Sequence, residues 1–178
     1  MTAAEARQEA GSIAPGAEIR ALLSSLNGQR RHVLGILEGL DAEALRRPVL
    51  PSGWSCLGLV QHLALDVERF WFRAVFTGDP AVIAALDDID DAWQVGPGVS
   101  AAEILGRYRE ETALADAVIT SAVADAPLAW WPHDRFGAPH LHTLRDLLLH
   151  VITETACHAG HLDAARELLD GRRWLVLT

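Results

Sequence analysis

Apolar residues recur three and four positions apart along four long stretches of this chain, and nowhere do they alternate over a convincing length. That spacing suits helices with one buried face and excludes a sheet as the main architecture. The first stretch runs Ile19, Leu22, Leu23, Leu26, Val33, Leu37 and Leu40; the second runs Leu59, His62, Leu63, Val67, Phe70, Trp71 and Val75. The third carries Ile104, Leu105, Tyr108, Leu114, Val118, Ile119 and Val123, and the fourth extends from Leu144 to about Asp170. Punctuation agrees with these limits. Ser55 is an N-cap candidate, Ser100–Glu103 and Thr143–Asp146 have capping-box spacing, and Gly171 sits where a left-handed C-terminal residue belongs. Pro48, Pro51 and Gly53, then Gly78 to Pro80, then Gly96 to Gly98 mark the connections. The expectation is an all-α, four-helix bundle with helices near 17–40, 55–77, 100–124 and 143–170. Residues 1–16, small and polar up to Pro15-Gly16, read as a flexible lead, and 17–178 as one domain. The tail Trp174 to Leu177 reads as a packed extension.

Half of the 178 residues are hydrophobic and 22% are charged, enough apolar surface to exclude disorder as the main state. No run of about 18 apolar residues is present, so no membrane-spanning helix is expected. The net charge of −9 disfavours a broad nucleic-acid interface. The first residues lack the apolar core of a secretory signal, which makes a cytoplasmic location the expectation. Two cysteines, Cys56 and Cys157, are too few for a disulfide scaffold, and Cys157 reads as a packing residue. All 15 basic residues are arginine, which points to a GC-rich genome. An apolar half also fits a homodimer built on a helix face.

The chemistry concentrates in the fourth stretch. His150, Glu154 and His158 are spaced by four, so they form one ladder on a helix face, with His161 a turn further on. A histidine and a glutamate at that spacing offer a nitrogen and an oxygen to one point, which suits a borderline divalent cation. A buried carboxylate without a partner is costly, and a cation removes the cost. The second stretch offers His62 among apolar residues as a third donor. The residues alone leave a satisfied core histidine and a metal ligand about equally open at this position. Trp54, Trp71, Trp130 and Trp131 suit either a core or a pocket, and His133, His140 and His142 read as solvated.

The segments Pro51-Ser-Gly-Trp-Ser-Cys-Leu-Gly-Leu-Val-Gln-His62-Leu-Ala-Leu-Asp-Val-Glu-Arg-Phe-Trp-Phe-Arg73 and Leu149-His-Val-Ile-Thr-Glu154-Thr-Ala-Cys-His158-Ala-Gly-His161 resemble the second and fourth helices of the DinB-like superfamily, in its DUF664 branch. The resemblance covers about residues 19–171. It implies a four-helix bundle holding a metal through one histidine of the second helix and two ligands four apart on the fourth, here His62, Glu154 and His158. Many members carry histidine where this chain has Glu154, and the glutamate form is similar to the site of mycothiol-dependent maleylpyruvate isomerase. Many also carry Arg-Gly-Gln after the last ligand, where this chain has Ala159-Gly160-His161. His150 and His161 then fall beside the triad as pocket residues. Arg69, seven residues beyond His62, is expected either to hold an anionic group at the site or to form a surface ion pair.

Three protein ligands leave a position open, as in catalytic rather than structural metal sites. Zinc is the first choice of metal, with nickel, iron and manganese as alternatives. The resemblance implies chemistry on a low-molecular-weight thiol, with mycothiol the natural candidate for a GC-rich actinobacterial source. The expectation is a metal-dependent S-transferase or isomerase acting on a small-molecule substrate. The alternatives are a non-catalytic metal- or ligand-binding stress module and a metal-dependent hydrolase.

Overall fold

In a computed structural model that describes residues 16–86 and 91–175, four long helical segments are joined by loops carrying three short helices. The long segments are α1 (Ala17–Ile36), α3 (Cys56–His62) continuing into a π-helix (Leu63–Phe76), α5 (Ala101–Thr120) and α7 (Leu144–Asp170). The short ones are α2 (Ala42–Arg46), α4 (Pro80–Ala84) and α6 (His133–Phe136). Among the described residues the only strand-like pairing is an isolated bridge between Pro127 and Thr143. The all-α bundle expected from periodicity is the fold. The proposed lead lies almost wholly outside the described residues, as does most of the acidic stretch from Asp87.

The ends follow the capping chemistry. Ser55 accepts the Gly58 N–H, and both capping boxes form, Ser100 with Glu103 and Thr143 with Asp146. Gly171 closes α7 at φ +79°, a conformation costly for any residue with a Cβ. The first helix ends at Ile36, four residues short of the expected 40. Gly39 takes φ +79° and Asp41 caps α2 instead, its carboxylate accepting the Ala44 N–H at 2.8 Å. The third ends at Thr120 rather than 124.

The second segment departs most from expectation. It is α-helical only through His62 and then widens, so that the Thr77 N–H reaches the Phe72 carbonyl five residues back at 3.2 Å. In this wider turn residues four and five apart share a face, whereas three and four do so in an α-helix. The run His62, Asp66, Phe70 therefore stays on one side.

α1 packs mainly along α7, and the π-helix along α5. Leu26, Leu57, Leu63, Phe72, Ile104, Tyr108, Leu147 and Leu148 fill the space between them. One charged pair sits inside. Arg30 of α1 grips Glu68 of the π-helix with two hydrogen bonds, 2.7 Å from Nε and 2.5 Å from Nη2, and its Nη1 reaches Asp116 of α5 at 2.6 Å. Burial works against the Arg30 charge, but Glu68 and then Asp116 outweigh it and hold its pKa above the ordinary value. This fork ties three of the four long segments together. Of the tail, the Trp174 indole lies on Gly35, and Asp163 accepts the Trp174 and Leu175 N–H groups, while Val176 and Leu177 lie outside the described residues. No helix among the described residues is long and apolar enough to cross a membrane.

Candidate metal centre

His62 stands at the C-terminal end of α3, where the helix widens, and its ring faces α7. Glu154 and His158 stand one turn apart on α7, and one donor atom of each residue lies within 4.8 Å of the others. Backbone spacing fixes the pair on α7, and the packing of the second segment against α7 supplies the third member. His62 and His158 meet edge to face, with ring centroids 5.0 Å apart at 72°.

The hydrogen bonds around the rings are incomplete in a telling way. His62 Nδ1 is 2.9 Å from an Asp66 carboxylate oxygen, and His158 Nε2 is 3.1 Å from Glu154 Oε1. The remaining nitrogens, His62 Nε2 and His158 Nδ1, are buried with no partner. Buried polar atoms are almost always satisfied, so each orphan imidazole nitrogen calls for a partner. Two nitrogens and a carboxylate oxygen are the donor set of a borderline divalent cation, so the residues fit one. Burial, and then His62 beside it, lower the pKa of His158, which keeps the ring in the neutral form that binds metal.

Two surrounding groups go beyond the residues singled out from the sequence. Asp66 is one, although its position four after His62 was the available signal. Trp93 is the other. It stacks on the His62 ring at 4.2 Å and 19°, and its ring lies 5.6 Å from that of His158. Two features hold it there. Gln61 Nε2 donates to the Ala92 and Gln94 carbonyls at 2.8 and 3.2 Å. Gly58 lets the loop approach, since a Cβ there would sit 2.2 Å from the Trp93 carbonyl oxygen. The signal for Trp93 was a lone large aromatic in an acidic, glycine-containing loop.

The His161 ring lies 5.6 Å from that of His158 and 6.3 Å from that of Trp54. His150 stands a turn below Glu154, edge-on to Trp71 at 4.7 Å, and burial lowers its pKa. Arg69 is half-buried with an unpartnered Nε, and no contact joins it to the cluster among the described residues. Seven residues span two turns of an α-helix but fall short of two turns of the wider π-helix, which carries Arg69 off the His62 face. Cys157 is exposed, which corrects its reading as a packing residue, because the residue before His158 faces away from the bundle; Cys56 is buried and its thiol is pushed up to about 11, mainly by that burial.

The bundle is that of a DinB-like protein. A family model described as Mycothiol-S-transferase matches residues 21–171, and the chain belongs to that family. Comparison with curated proteins and with solved structures gives no match.

Proposed function

We propose that the protein is a cytoplasmic, single-domain, metal-dependent S-transferase that uses a mycothiol-type low-molecular-weight thiol. Membership of the mycothiol-S-transferase family supports the thiol, and the convergence of His62, Glu154 and His158, with His62 Nε2 buried and unpartnered, supports the metal. The approach of one donor atom from each of His62, Glu154 and His158 to within 4.8 Å carries this reading.

His62, Glu154 and His158 hold the cation, zinc first, with nickel, iron or manganese as alternatives. A divalent cation supplies a Lewis acid that favours the ionised form of a thiol at neutral pH. The chain's own groups do the rest. Asp66 accepts the His62 Nδ1 proton and so keeps Nε2 free as a donor. The Trp93 ring covers one side of His62 and keeps water from it. His161, exposed at the outer end of the ladder, and His150, against Trp71, border the space on either side of the triad. In the transfer the thiol proton leaves to solvent, a sulfur–carbon bond forms, and the leaving group departs with its electron pair. The test is a thiol panel of mycothiol, bacillithiol and glutathione against an electrophile, with and without added zinc. Zinc-dependent loss of mycothiol supports the reading, and equal rates with and without protein oppose it. A homodimer belongs to the same reading, and sedimentation that finds only monomer at micromolar concentration contradicts it.

A further inference from the structure

A cleft of about 310 Å³ opens beside the candidate metal centre. Two residues belong to both. Asp66 lines the cleft and contacts His62 Nδ1; Trp93 lines it and stacks on the His62 ring. A molecule in the cleft therefore lies next to the triad.

Two of the remaining lining residues, Phe70 and Phe136, add aromatic surface to that of Trp93. Phe136 of α6 lines the cleft and is 46% exposed, yet it stacks on Trp71 at 5.7 Å and 15°. Phe70 meets Phe136 edge to face at 6.2 Å and 74°. Trp93 and Phe136 are thus each backed on one face by a protein ring, which fixes their orientation. Fixed aromatic walls favour a flat ligand that stacks or meets them edge-on. The volume lies near the lower end of ligand pockets, roughly 300–1,000 Å³, so it admits one ring system rather than two reactants together. The charges are also selective. Among the described lining residues, the carboxylates of Asp66 and Asp91 stand against the guanidinium of Arg135, which donates to the Leu86 carbonyl at 3.5 Å. An anion entering beside Asp66 meets a like charge.

We propose that this cleft receives the electrophilic partner of the thiol, and that the partner is a planar, uncharged aromatic or conjugated molecule. The word electrophile rests on the thiol-transfer reading; the shape and charge rest on the cleft alone.

The experiment is a calorimetric or ligand-observed NMR titration of the full chain with 2-naphthol and 2-naphthoate, which match in shape and differ in charge at pH 7. It is run on zinc-loaded protein and again after chelation. 2-Naphthol should bind in both states, with 2-naphthoate weaker by about tenfold, the equivalent of ~1.4 kcal/mol. Phe136→Ala, at an exposed position, should weaken 2-naphthol about fivefold or more, and Phe136→Tyr should restore it. Equal binding of the two probes, tighter binding of 2-naphthoate, or unchanged 2-naphthol affinity in Phe136→Ala overturns the proposal. A chain that takes up 2-naphthol but no zinc contradicts the metal reading and leaves the cleft standing. A chain that takes up zinc but not 2-naphthol does the reverse.

Discussion

Asp66 holds one nitrogen of His62 at 2.9 Å and leaves the other, Nε2, buried and unpartnered. A carboxylate on the far nitrogen fixes which tautomer the ring adopts and raises its basicity as a ligand. Asp66→Ala should weaken zinc binding by about 10- to 100-fold, with the helix content unchanged. Asp66→Asn, which still accepts the Nδ1 proton, should fall between the two. Competition with a chromophoric chelator measures all three. Equal zinc affinity in Asp66→Ala and the parent contradicts the role.

The loop that carries Trp93 is pinned from α3. Gly58→Ala places a Cβ 2.2 Å from the Trp93 carbonyl oxygen, a contact that backbone has to relieve by moving. Gln61→Ala removes both hydrogen bonds to the Ala92 and Gln94 carbonyls. Each variant should lower stability by about 1–3 kcal/mol and shift tryptophan emission as the ring leaves His62. Denaturant unfolding followed by fluorescence reads both effects.

The Arg30–Glu68 pair sits almost wholly inside, with side-chain exposures of 5% and 1%. Removing one partner leaves the other charge buried. Arg30→Ala should therefore cost about 3–5 kcal/mol, and the double change Arg30→Met with Glu68→Leu should cost far less. Urea unfolding of the two variants gives the comparison.

Acid should weaken the metal-free protein before its carboxylates titrate. Burial lowers the pKa of His150 and of His158, so the unfolded chain takes up these protons more readily than the folded one. Their neutral forms are present in both states above the unfolded value of about 6.5, and stability falls as pH drops through and below it. Melting temperature should be flat from about pH 7.5 to 8.5 and decline towards pH 5, with a shallower decline in His150→Gln. A rise on acidification through this window contradicts the account.

The bundle was legible because its signals are local. Ser55, Ser100 with Glu103, Thr143 with Asp146, and Gly171 each act within one turn, and each cap forms where its residues stand. The pair Glu154 and His158 was legible for the same reason, since four residues on an α-helix is a fixed geometry. The widening after His62 was not, because apolar residues at mixed spacings of three and four do not distinguish a π-helix from an α-helix. It bears on Arg69, whose expected place assumed two α-helical turns, whereas Asp66 and Phe70, at spacings of four from His62, keep its side in either helix. Trp93 depends on a loop packing over Gly58, a contact between segments far apart in sequence that periodicity does not encode.

The central claim is that His62, Glu154 and His158 together hold one cation. Metal analysis of the purified chain and of His62→Ala, Glu154→Ala, His158→Ala and His150→Ala, each reconstituted with zinc and dialysed alike, tests it most directly. The account expects a zinc ion in the parent and in His150→Ala, and its loss in the other three with a matching fall in thermal stability, because a cation bound to the folded state is linked to folding. Zinc retained by His62→Ala and lost from His150→Ala, or absent from the parent itself, contradicts the account.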